Sequence, residues 1–135
     1  MTTERYERGW KKLMEVDGTG GAKVIESLKD ISPDLGKFVI EFAFGDIYSR
    51  EGLDLRQRQL VTLSSLTTLG GCEPQLTVHI NAALNVGLSP KEVIEAILHC
   101  VPYAGFPRVL NATFVAKEVF MERGLEIDSS SLPEL

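Results

Sequence analysis

Apolar residues recur along this chain at spacings of three and four, and rarely in strict alternation. Recurrence at i, i+3, i+4 and i+7 collects side chains on one side of an α-helix, whereas alternation marks a strand. No hairpin dipeptide sits between alternating runs, so the pattern predicts helices from end to end. Tyr6, Trp10, Leu13 and Met14 share one side of a charged first helix over 3–16. The run Val16-Asp17-Gly18-Thr19-Gly20-Gly21 breaks it, and a short second helix covers 22–30. Ser32-Pro33 opens a third helix, with serine at the cap and proline in the first turn. This helix carries two apolar stripes, one of Leu35, Phe38, Val39, Phe42 and Ala43, the other of Ile40, Phe44, Ile47 and Tyr48. A surface helix of a small domain normally carries one. The second stripe is therefore either wrapped by the rest of the chain or turned toward a second subunit.

A fourth helix is predicted over 54–69, stopped by Gly70-Gly71, and a fifth from about 73 to Gly87. Ser89-Pro90-Lys91-Glu92 is a capping box with proline in the first turn, and it starts a sixth helix that directs Val93, Ile94, Ile97, Leu98 and Val101 inward. Pro102 and the stretch Tyr103-Ala104-Gly105-Phe106-Pro107 bend or break that helix. A last helix spans about 107–123, and residues 125–135, with three serines and a proline, read as a mobile tail. No linker interrupts the pattern. The expected architecture is an all-α, single-domain bundle of about six to seven helices over 1–124, followed by the tail.

Composition narrows the functional classes. A chain of 135 residues with 44% apolar content is one domain able to bury a core. No run approaches the roughly 18 apolar residues of a membrane span, and the charged start Thr2–Lys12 does not resemble a signal peptide. Two cysteines make neither a disulfide framework nor a metal quartet, which suits reduced thiols in a cytoplasmic protein. A net charge of −5 disfavours nucleic acid as a partner. There is no phosphate-binding loop, no convincing dinucleotide fingerprint, no H-E-x-x-H and no C-x-x-C, so neither a metal nor another cofactor is expected.

Chemistry then falls to a few polar residues on apolar helices. His79 shares a helical face with Leu76, Ile80, Ala83 and Leu84, where an imidazole must find a partner or a use. It is either a hydrogen-bonded core histidine or a working acid–base group. Gln75 lies one turn earlier, about 5–6 Å away between Cβ atoms. Gln59 lies on the face of Leu55, Thr62 and Leu66, which turns a second amide inward. Cys72 sits just ahead of the fifth helix, where the helix dipole favours a thiolate; its plain alternative is a small loop-facing apolar residue. Arg50, Arg56 and Arg58 flank the start of the fourth helix and are suited to a carboxylate, to solvent or to subunit contacts. His99, one turn after Glu95, reads as half of a surface ion pair, and Cys100 as packing.

Three blocks, in order, resemble the carboxymuconolactone decarboxylase family. They are Phe44-Gly45-Asp46-Ile47-Tyr48-Ser49-Arg50-Glu51-Gly52-Leu53-Asp54, continuing to Leu63; His79-x-x-x-Ala83-Leu84-x-x-Gly87-Leu88-Ser89-x-x-Glu92-Val93; and Tyr103-Ala104-Gly105-Phe106-Pro107. Tyr6-Glu7-Arg8-Gly9 is similar to the start of its longer members. The resemblance implies an alkylhydroperoxidase D-like helical subunit in a ring-like oligomer, commonly a homohexamer built as a trimer of dimers, with a site around His79. One branch of the superfamily removes CO2 from 4-carboxymuconolactone, a step in aromatic compound catabolism, without a cofactor. The other reduces peroxides with a C-x-x-C pair and a Glu/His relay. By position Cys72 matches the first cysteine of that pair, but Gln75 replaces the second and Gln59 stands near the relay glutamate. Dithiol chemistry needs two close thiols, so the resemblance points first to a decarboxylase, with His79 as proton donor and Gln59, Gln75 and Cys72 beside it. Arg50, Arg56, Arg58 and Tyr103 are the candidate residues for an anionic small-molecule substrate. The alternatives are peroxiredoxin-like activity through Cys72, and a non-catalytic oligomer that binds a small ligand.

Overall fold

A computed structural model describes residues 2–127, and every regular element in them is helical. Residues 128–135 of the expected tail lie outside the described residues. The elements are α1 (Glu4–Val16), α2 (Thr19–Leu28), α3 (Pro33–Phe38), a π-helical segment (Val39–Tyr48), α4 (Leu55–Leu69), α5 (Glu73–Asn85), α6 (Pro90–Leu98), α7 (Val101–Ala104) and α8 (Phe106–Glu122). Capping explains several starts. Asp54 and Gln57 form a capping box at α4, and Ser89 and Glu92 form the expected one at α6. Ser32 occupies the cap position of α3 but makes no side-chain cap bond; Pro33 in the first turn starts that helix.

The predicted third helix is α-helical only to Phe38 and then widens into the π segment. Its buried positions are Ile40, Glu41, Phe44 and Gly45, two adjacent pairs four residues apart. A Cβ on Gly9 of α1 would stand 1.9 Å from the Ile40 carbonyl oxygen, and one on Gly45 would stand 2.7 Å from the Arg5 oxygen. The two backbones touch, and the wider turn seats them together. Charge rings this contact. Arg5 pairs with Asp46 at 2.6 Å, Arg8 donates to the Gly45 carbonyl at 2.8 Å, and buried Glu41 accepts from Thr3 at 3.1 Å.

Helix α5 divides the interior. On one side Leu76, Ile80 and Ala83 join Leu63, Val93, Ile97, Val109, Ala112, Ala116 and Phe120 of α4, α6 and α8. On the other, Ala82 meets Leu13, Val16, Ile25, Ile40 and Phe44 of α1, α2 and the π segment. Each fully buried Leu, Ile or Phe contributes roughly 1.5–3 kcal/mol. Leu98, predicted to point inward, is 54% exposed, and Val101 begins α7 instead of ending α6. The His99–Cys100 break turns the chain before α6 can complete that stripe. The stripe of Leu35, Phe38 and Phe42 is left on the surface, 49–62% exposed. No helix among the described residues is long and apolar enough to cross a membrane.

Candidate functional site

His79 does not sit in the middle of the Leu76–Ile80–Ala83 face. It stands at its edge, where α5 turns from the larger core toward α1 and α2. There Gln75, Val78 and His79, at helical spacing, form one wall of a cavity of about 420 Å3. Leu13 and Asp17 from the end of α1, Gly21, Val24, Ile25 and Leu28 from α2, Leu35 from α3, Val39 and Phe44 from the π segment, and Pro74 complete it. The volume suits a small ligand, and the lining is apolar apart from Asp17, Gln75 and His79.

The imidazole Nδ1 is buried and has no hydrogen-bond partner among the described residues. Burial disfavours its cation and pulls its pKa from the ordinary value down to about 4. Asp17 shows the opposite effect from the same cause. Its Oδ1 is buried without a partner, and desolvation pushes its carboxyl up to about 7. In this cavity burial favours the neutral carboxyl and the neutral imidazole over an ion pair. An aspartate followed by glycine reads as a turn former. No local signal places Asp17 opposite a histidine from a distant helix.

The shifts carry a stability consequence. Asp17 is raised in the fold, so its contribution is fully present below the unfolded carboxyl pKa and is lost as pH rises from about 4 to about 7. We expect Asp17→Asn to stabilise the protein above pH 7 by on the order of 2–4 kcal/mol, with the gain vanishing near pH 4. Urea midpoints of both proteins across that range check this; a pH-independent difference contradicts it.

The other sequence candidates are more dispersed. Gln75 is exposed at the cavity wall. Gln59 is fully buried on α4 as expected, but outside the cavity lining. It lies close enough to the Tyr48 phenol to ease its ionisation against the opposing effect of burial, while neither amide atom makes a well-formed hydrogen bond. The Tyr48 hydroxyl is 2.5 Å from that of Thr62, and its ring stacks on Phe44, itself a cavity residue. Gln59 therefore backs the wall instead of facing the hollow. Cys72 is buried and donates from Sγ to the Leu66 carbonyl at 3.2 Å. Cys100 points to the Ser64 and Ala96 carbonyls, 3.7 and 3.5 Å away. Both thiols are free, and neither lines the cavity.

Arg56 donates to the Gly87 carbonyl at 3.1 Å and pairs with Glu92 at 3.1 Å, which ties α4 to the α6 cap. Arg58 donates to the Arg50 carbonyl at 3.1 Å, and Arg50 is exposed. Tyr103 is 77% exposed, and its ring lies 5.9 Å from that of His99. His99 makes this aromatic contact in place of the anticipated ion pair with Glu95. Within one chain none of the three arginines, nor Tyr103, reaches the His79 cavity. Among the described residues no group of three or more His, Cys, Asp or Glu is placed to hold a metal.

The profile of the carboxymuconolactone decarboxylase family matches residues 33–118. A 4-carboxymuconolactone decarboxylase of Acinetobacter baylyi is 38% identical over 123 residues, which span 90% of this chain and 91% of the relative. The nitrosuccinic acid decarboxylase npaB of Metarhizium robertsii is 30% identical over 84% of this chain and 79% of its own length. An uncharacterised 15.0 kDa protein of Paracoccus denitrificans is 30% identical over 76% of this chain and 77% of its own. By the extent of these matches and by its all-helical architecture, the chain belongs to the carboxymuconolactone decarboxylase family.

Proposed function

We propose that the protein is a cofactor-independent decarboxylase acting on 4-carboxymuconolactone or a related unsaturated lactone or keto acid, with His79 as the proton donor. Two relatives named as decarboxylases support the reaction class. The observation that carries the reading is an imidazole whose buried Nδ1 has no hydrogen-bond partner, on an apolar cavity without lysine or arginine in its lining, among the described residues. In the reaction the bond from carbon to the carboxylate breaks, CO2 leaves, and its electron pair spreads over the conjugated C=C and ester carbonyl. A desolvated carboxylate gains from dispersing its charge in this way. The carbanion then takes a proton from the imidazolium. Burial disfavours the His79 cation, and a bound anion raises its proton affinity, so substrate binding and proton uptake are coupled. Gln75 is the amide placed to orient the ligand at the wall.

The test is CO2 release from the lactone by the purified protein after dialysis against a chelator. Activity is expected to persist, and Cys72→Ser is expected to leave it unchanged. Loss of activity in Cys72→Ser, together with peroxide consumption by the wild type, would overturn the reading in favour of thiol chemistry.

The proposed working form is a homo-oligomer, a hexamer in the family's manner, with Leu35, Phe38 and Phe42 covered by another copy. Leu35 both lines the cavity and is half exposed, so association through this face would close the wall. Phe38→Glu combined with Phe42→Glu is expected to yield a smaller species in sedimentation velocity. An unchanged sedimentation coefficient argues against this interface.

A further inference from the structure

We propose that Asp17 is the acid that recharges His79, and that it regains its own proton through a second, polar pocket on its far side. The inference rests on the decarboxylase reading above and adds a residue and a path to it. Asp17 is 9% exposed and follows the last turn of α1, and Gly18, at φ +60°, redirects the chain into α2 immediately after it. Asp17 lines the His79 cavity, and among the described residues neither its Oδ1 nor the His79 Nδ1 has a hydrogen-bond partner, so the two share the hollow without touching. A second pocket of about 350 Å3 is lined by Asp17, Thr19, Thr77, Asn81, Asn85 and Arg123, with Gly20 and Val78. Asp17 and Val78 alone belong to both linings, and only Asp17 of the two can carry a proton.

The two sides of Asp17 differ in kind. Toward His79 the surroundings are hydrocarbon, which favours the neutral acid. Toward the second pocket are two asparagines, two threonines and the Arg123 guanidinium, held by the Asn81 and Asn85 side-chain oxygens at 3.3 and 3.2 Å. That side tolerates a transient carboxylate and admits water. The titratable groups facing Asp17 are His79 from α5, Arg123 beyond α8 and Tyr48 from the π segment; α2 contributes none to either lining. Burial favours the protonated carboxyl and disfavours the protonated imidazole.

Protons and electrons balance. The Asp17 O–H bond breaks, a water in the shared cavity relays the proton, and an N–H bond forms on His79, whose charge is matched by the bound substrate anion. The N–H bond breaks as C–H forms on the carbon that released CO2. The Asp17 carboxylate then takes a proton from water in the polar pocket. The net change is one proton consumed and one CO2 released per carboxylate.

Asp17→Asn keeps the shape and removes the proton. Its kcat is expected to fall about 100-fold, with KM within a few-fold of wild type. Wild-type kcat is expected to show an alkaline limb near pH 7 that is absent from Asp17→Asn and present in Asp17→Glu. Wild-type kcat and an unchanged pH profile in Asp17→Asn would overturn the proposal. A measurement independent of turnover is the carboxyl-carbon NMR titration of Asp17 in the wild type. A midpoint near 7 is expected, and one near 4 sinks the inference whatever the variants do. A wild type inert toward every unsaturated lactone and keto acid offered, with Asp17 titrating near 7, instead removes the decarboxylase reading and retains the buried acid.

Discussion

His79→Gln is expected to slow decarboxylation by about 10²- to 10⁴-fold while leaving ligand affinity little changed. Glutamine has similar reach and can still donate a hydrogen bond, but it has no proton to give to carbon at neutral pH. The loss should therefore fall on kcat, because only the protonation step is removed. Initial rates of CO2 release measure it, and binding of an unreactive lactone analogue separates affinity from turnover. An undiminished kcat would leave His79 as a packing residue and end its role as acid. The same substitution has a signature in stability. Burial depresses this imidazole, so its contribution is present above the unfolded pKa and is lost as pH falls from about 6.5 toward 4. His79→Gln removes that loss, which is on the order of 3 kcal/mol at most. In the wild type Asp17 changes in the opposite sense across nearly the same window. The two therefore largely cancel, and either single variant should display a pH dependence of stability that the parent hides.

Gly9→Ala is expected to destabilise the fold by about 3 kcal/mol or more, and to lower Tm by roughly 10 °C. The added methyl would meet the Ile40 carbonyl oxygen at 1.9 Å, its carbon at 2.7 Å and the Gly45 nitrogen at 3.1 Å. All three are main-chain atoms of the π segment, so no rotamer change relieves the clash; α1 must move away. That movement also withdraws Leu13 and Asp17 from the cavity wall, so activity should decline with stability. Gly20→Ala is the control. A methyl there meets nothing within 4 Å in a helix, and alanine is the better helix former by up to about 1 kcal/mol. Melting curves decide the matter: a Gly9→Ala protein that melts with the wild type would mean that α1 and the π segment are not in backbone contact.

The helices were legible because their causes are local. Proline and serine at the α6 start, the glycines after α4, and apolar spacings of three and four act within a few residues of one another. The inward turn of Gln59 was legible for the same reason, since its burial follows the face it shares with its own helix. Three things depended on packing between distant segments. The π segment packs backbone to backbone on α1, where Gly9 and Gly45 admit the contact, and no spacing within residues 39–48 announces a partner helix. His79 lies at the edge of its face because α5 is covered from two sides, by α4 and α8 on one and by α1 and α2 on the other. Asp17, an unremarkable turn residue in the chain, becomes a buried acid because α1 ends against α5, where burial desolvates the carboxyl and its Oδ1 has no partner among the described residues. Sequence alone determined most of the helices and the family, through short-range preferences and ordered motifs. The tertiary structure alone decided which groups face one hollow, because burial and desolvation arise only when segments far apart in the chain close around the same space.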